Sequence, residues 1–65
     1  MRIFVNNKEV ETAAINLFQL MCELAIPEKG VAVAVAGQVI PRSQWEFIIL
    51  SEGVSIVVVK GVCGG

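Results

Sequence analysis

Sixty-five residues make one small domain with no room for a second core, which excludes a multidomain enzyme. Five Lys and Arg against six Glu, with no Asp and no His, leave a formal net charge of -1; cations so few and scattered exclude nucleic-acid binding by phosphate neutralisation. A hydrophobic share of 55% excludes intrinsic disorder. The longest uncharged run, Gly30 to Pro41, holds Gln38 and two glycines and falls short of the roughly 20 apolar residues of a bilayer helix.

Arg2-Ile3-Phe4-Val5-Asn6 is strongly β-forming, and Asn6-Asn7-Lys8 supplies turn chemistry before a weaker extended stretch at Lys8 to Thr12, so the chain opens with an antiparallel hairpin. The period then changes. Leu17, Leu20, Met21 and Leu24 fall on one helical face, and Asn16 with Gln19 has the spacing of a capping box, which predicts a helix from Leu17 to about Ala25, ended by Pro27. Val31 to Ala36 alternates Val and Ala, a strand with its Val face inward. Gly37 turns the chain, Gln38-Val39-Ile40 returns it, and Pro41 stops the return. Ser43 and Glu46 repeat the capping-box spacing and predict one tight helical turn carrying Trp45 as a hydrophobic anchor. Phe47 to Leu50 connects, Ser51-Glu52-Gly53 turns, and the β-branched run Val54 to Lys60 suits a central strand.

These elements predict an α+β domain over residues 1–60, a mixed sheet with one helix packed on one face, followed by a flexible diglycine tail over 61–65. A helix of about 9 residues, roughly 14 Å long and 10 Å wide, covers only one face of the sheet. With Ile3, Val5, Ile56 and Val58 inward, Phe4, Val57 and Val59 point outward on first and last strands expected to be neighbours, and form an exposed apolar patch. A register shifted by one residue exchanges the two sets; Arg2 on the Phe4 face and Lys60 at the strand end favour the first.

The folded body offers no catalytic machinery. Without His, Ser43, Ser51 and Ser55 lack an activating base. Cys22 and Cys63 without His make a metal site improbable, and no Gly-x-x-x-x-Gly-Lys loop occurs. Glu23, Glu28 and Glu52 fall on expected solvated faces and turns, and Met21 and Cys22 read as helix packing or its margin. No secretion signal precedes the first strand, so the expected setting is cytoplasmic with both thiols reduced. What remains is the carboxyl end: the acid of Gly65, ionised at neutral pH, on a thread slim enough for a narrow cleft in another protein. A frayed terminus is the ordinary reading of such an end; here it follows a β-branched strand beside the apolar patch.

The segment Val31-Ala-Val-Ala-Val-Ala-Gly-Gln-Val-Ile-Pro41-Arg42-Ser43-Gln44-Trp45, with the terminal Gly64-Gly65, resembles the ThiS group of ubiquitin-like β-grasp sulfur carriers in thiamin biosynthesis. Pro-Arg-Ser-x-Trp is fairly specific to that group, whereas Gly-Gly is shared by many ubiquitin-like proteins. The resemblance implies that the chain is not an enzyme and binds no cofactor itself. It implies a ThiF-like partner that uses ATP and Mg²⁺ to adenylate Gly65, a persulfide sulfur donor that converts Gly65 to a thiocarboxylate, and delivery to a ThiG-like thiazole synthase. Gly61, Val62, Cys63 and Gly64 would be read by the partners as the tail, and Phe4, Val57 and Val59 would be the docking patch.

The chain departs from that pattern at Ala36, where members usually carry Asn, and at Val54, where they usually carry Asp. Both changes remove turn hydrogen bonds rather than tail chemistry. Cys63 reads as a small residue tolerated in the tail, against the rival that its thiol exchanges with a partner persulfide. Arg42 could contact a partner or cap a local carbonyl. The alternatives are a molybdopterin synthase small-subunit-like carrier, whose chains are commonly longer, and a ubiquitin-like protein modifier.

Overall fold

The computed structural model describes residues 1–61. Strands β1 (Arg2–Val5) and β2 (Lys8–Glu11) form the opening hairpin, with Val5 paired to Lys8 across a two-residue turn. Asn6 and Asn7 hold that turn at φ +52° and +67°, the double left-handed conformation that Asn tolerates better than most residues. Helix α1 (Leu17–Glu23) follows, then β3 (Val31–Val35), β4 (Gln38–Val39), a 3₁₀ helix (Arg42–Phe47) and β5 (Ser55–Lys60). The five strands form one mixed sheet in the order β2-β1-β5-β3-β4. Strand β5 is central, parallel to β1 and antiparallel to β3, and the first and last strands are neighbours as expected. Among the described residues, no helix is long and apolar enough to cross a membrane.

The core lies between α1 and one sheet face. Ile3, Val33, Ile56 and Val58 contribute from the sheet, Leu17, Leu20 and Met21 from the helix, and Ala14, Trp45 and Leu50 from the connections. The inward set is therefore the one the alternation favoured, with no slip of register. Thr12 is buried among these apolar groups and fully used: its hydroxyl donates to Glu23 Oε1 at 2.6 Å and accepts the Ala14 N–H at 3.0 Å. Burial of a hydroxyl is tolerated when both roles are filled.

Four local expectations need correction. The helix ends at Glu23, two residues before the expected Ala25, and Pro27 is not what stops it. Ala25 adopts φ +56°, its N–H bonds to Cys22 O, and the Ile26 N–H bonds to Met21 O at 2.9 Å; these paired bonds terminate a helix without proline. At the other end Asn16 caps as predicted, accepting the Gln19 N–H at 2.8 Å, but Gln19 accepts from the Ile15 N–H rather than from the cap residue itself. The Ser43 capping box does not form. The 3₁₀ helix starts at Arg42 behind Pro41, which has no side-chain cap bond and whose carbonyl accepts the Gln44 N–H at 2.9 Å. The ring fixes the backbone there in advance, so Ser43 falls inside the helix, and β4 stops at Val39, one residue before the expected Ile40.

The β3–β4 turn consists of Ala36 and Gly37, at φ +52° and +84°. Such a turn requires left-handed backbone at both positions, and Ala is a poor occupant of the first. Replacing Ala36 by Gly or Asn should stabilise the domain by about 0.5 to 1 kcal/mol. A urea midpoint that rises with an unchanged slope checks it.

Candidate functional site

The sheet face turned away from α1 has no covering element among the described residues. Phe4, Val57 and Val59 are 36%, 45% and 52% exposed, and the register joins them into one surface. Phe4 lies opposite Ser55 on β5, while Val57 and Val59 lie opposite Ala34 and Ala32 on β3. Ala34 in turn lies opposite Val39 on β4, which is also exposed. The strict Val-Ala alternation of β3 thus does two jobs: Val fills the core, and Ala continues the outer apolar surface without raising it. At the β2 edge the surface becomes charged, where Arg2 Nε meets Glu9 Oε2 at 3.0 Å.

Strand β5 carries this face as far as Lys60, and its backbone is bonded on both sides. Beyond Val5, the Asn6 side chain takes over from strand β1: Nδ2 donates to Val58 O at 3.2 Å and Oδ1 accepts the Val58 N–H at 2.8 Å. Nothing in composition or period points to that bracket. On the opposite edge the antiparallel ladder with β3 runs to the Val31–Lys60 pair and then makes one more bond, from the Gly61 N–H to Gly30 O at 2.8 Å. Gly61 and Gly30 stand at φ +81° and +71°, and among the described residues an added Cβ would meet nothing within 4 Å at either.

Arg42 has an answer that its sequence context left open. Its guanidinium lies 4.9 Å from the Phe18 ring centroid and 5.3 Å from that of Trp45, and its Nη2 bonds to Glu28 Oε1 at 2.8 Å. It ties α1, the loop after it and the 3₁₀ helix together through cation–π and ionic contact. The other Glu residues expected on solvated faces also hold loops: Glu23 accepts from Thr12, and Glu52 accepts the Arg2 N–H at 3.0 Å.

The hydrogen bond from Arg42 holds the Glu28 carboxyl below its usual range, with the positive charges of Arg42 and Lys29 acting in the same direction. A carboxyl whose folded value is depressed contributes stability above its unfolded value, near about 4.3, and loses it as pH falls through the folded value. Glu28→Gln should therefore melt slightly below the parent chain at pH 7, with the gap closing on acidification through the carboxylate range. Paired thermal melts over a pH series check this.

A model described as the ThiS family matches residues 1–65, the chain from first to last. The chain belongs to the ThiS family. It is 30% identical over 66 residues to the sulfur carrier protein ThiS of Escherichia coli (strain K12), with both chains covered completely. Among solved structures, it resembles the crystal structure of a thiamine biosynthesis protein, ThiS, from Geobacter metallireducens with a TM-score of 0.84 at 22% identity, each chain fully covered. It also resembles the solution structure of a thiamine biosynthesis protein from the same organism, with a TM-score of 0.78 at 22% identity, covering all of this chain and 88% of that one. These neighbours share the fold: the ThiS β-grasp, a mixed sheet with one helix on one face.

In this member of the ThiS family the sequence-predicted residues fall into two groups. Phe4, Val57 and Val59 come together on the open sheet face, and Gly61 sits at the last rung beside Gly30. Val62, Cys63, Gly64 and Gly65 lie outside the described residues. Sequence reasoning missed Ala32, Ala34 and Val39 as parts of the outer surface, although the alternation of β3 and the return through Gly37 carry that signal. It also missed the Gly30–Gly61 pair, which follows from the β3–β5 pairing and not from any local pattern.

Proposed function

We propose that this chain is a sulfur carrier of thiamin biosynthesis, a scaffold that presents the Gly65 carboxylate for other proteins to activate and load. What supports the reading is the match of the whole chain to the ThiS family, terminal glycines included. The geometry adds a central strand that runs toward that end beside an uncovered apolar face. A carboxylate is ionised at neutral pH, with an ordinary value of about 3.3 to 3.7, and is a poor electrophile. A ThiF-like partner overcomes this with ATP and Mg²⁺. The Gly65 carboxylate oxygen attacks the α-phosphorus, pyrophosphate leaves, and an acyl adenylate results. The outer sulfur of a persulfide then bonds to the acyl carbon as the bond to AMP breaks. A thiol next attacks the inner sulfur of the acyl disulfide, forming a disulfide with it and releasing Gly65 as a thiocarboxylate. A ThiG-like thiazole synthase receives that sulfur.

The carrier's own part is docking and reach. Phe4, Val57 and Val59 would seat on each partner in turn, and the four residues beyond Gly61 span at most about 14 Å, so a partner seated on the sheet face finds the acid within a fixed radius. Intact mass spectrometry of the protein from its own cells, read at the last residue, tests the reading. The expected result is exchange of one oxygen for one sulfur at Gly65. A carboxylate that is never exchanged in cells making thiamin, or Gly65-dependent isopeptide adducts on many proteins instead, overturns it.

A further inference from the structure

We infer that Gly61 is a positioning residue: its left-handed backbone, pinned to Gly30, sets the direction in which the tail leaves strand β5. The inference rests on the carrier reading above. Three observations combine. The Gly61 N–H is bonded to Gly30 O at 2.8 Å, so the root of the tail is the last rung of the β3–β5 ladder rather than a free joint. Its φ of +81° departs from the value near -140° that would prolong an antiparallel strand, so the chain turns out of the strand line at this residue. An added Cβ would meet nothing within 4 Å among the described residues, so none of them requires a glycine for space. What a side chain would change is the sign of φ, because L-residues disfavour the left-handed region that Gly enters freely. Gly30 across the rung, at φ +71° with the same open space, repeats the arrangement. Both sides of the final bond are thus bent by conformation rather than by crowding.

A docked carrier whose tail leaves in the wrong direction still sits on its partner but cannot bring the acid to the nucleotide. The consequence is a loss in turnover without a loss in docking. An L-residue would leave about 5- to 30-fold fewer tails aimed correctly.

The test compares three full-length chains made by total synthesis, with Gly, L-Ala or D-Ala at position 61. Each is assayed for ATP- and Mg²⁺-dependent adenylation by a ThiF-type enzyme below its melting temperature. The two alanines add the same atoms but prefer opposite signs of φ. L-Ala is expected to lower kcat about 5- to 30-fold with KM unchanged, and D-Ala to restore the kcat of Gly61. Equal kcat for L-Ala and Gly overturns the inference. So does equal impairment of L-Ala and D-Ala, since that assigns Gly61 to fit inside a partner's cleft. Failure of the carrier reading is seen separately, as absence of adenylate on the Gly61 chain itself.

Discussion

Trp45→Ala is expected to remove a large share of the folding stability of the chain. The indole is 1% exposed and is among the largest fully buried side chains in the core, and truncation of a buried aromatic costs about 3 to 5 kcal/mol. A domain of this size has only about 3 to 10 kcal/mol to lose. Two further contacts disappear with the ring. Nε1–H donates to Ile40 O at 3.1 Å, and that carbonyl follows β4 just before the 3₁₀ helix. Arg42 also loses the face it lies over. Trp45→Phe separates these effects: it keeps much of the volume and leaves Ile40 O without its donor, at a cost of about 1 to 3 kcal/mol. Urea titrations followed by far-UV circular dichroism measure both, since Trp45 is the sole tryptophan and its fluorescence disappears with it. A Trp45→Ala midpoint within a few tenths of a molar of the parent would mean that the 3₁₀ helix is not needed to close the core.

Much of this fold was legible because apolar periodicity is enforced wherever one face is buried. The alternation of Ile3, Val5, Ile56 and Val58 carried the inward register of β1 and β5, and it carried the exposure of Phe4, Val57 and Val59 with it. The spacing of Leu17, Leu20 and Met21 located the helix face, and the cap at Asn16 formed as its side-chain chemistry suggests. Less visible were features decided by single backbone angles or by contacts between distant residues. Ala25 ends α1 in a conformation that Ala rarely adopts, so no residue type marks the stop. Pro41 starts the 3₁₀ helix one step before Ser43 because a fixed φ does the work that a capping side chain would otherwise do. The Asn6 bracket on Val58 and the Arg42 clasp on Phe18 and Glu28 each join residues far apart in the chain, and no local pattern encodes them. The candidate site divides along the same line: its apolar face was readable from alternation, whereas the pinning of Gly61 by Gly30 emerges only once β3 and β5 are paired.

Val57→Glu should separate docking from folding. The side chain points outward from the central strand, is 45% exposed, and lies opposite Ala34, so a carboxylate there remains solvated in the free protein. Stability should change by no more than about 1 kcal/mol, the span of side-chain preferences on a sheet. When the face is covered by a partner, the same carboxylate is desolvated without a cation to meet it. Central interface positions of this kind cost about 2 kcal/mol or more, which corresponds to a fall of at least about 30-fold in kcat/KM for adenylation by a ThiF-type enzyme. Ile49→Glu supplies the comparison. Ile49 is also an exposed large apolar residue, but it pairs with Asn16 at the start of α1, away from the open sheet face. Its substitution should leave kcat/KM within about twofold, as expected for a surface change outside the contact. If Ile49→Glu proved the damaging change and Val57→Glu the silent one, the partner would seat beside the helix, and the tail would have to reach it from the far side of the domain. A parallel loss in both would point instead to a partner that encloses the carrier. Only selective damage at Val57 fits a carrier gripped by the face from which its last strand emerges.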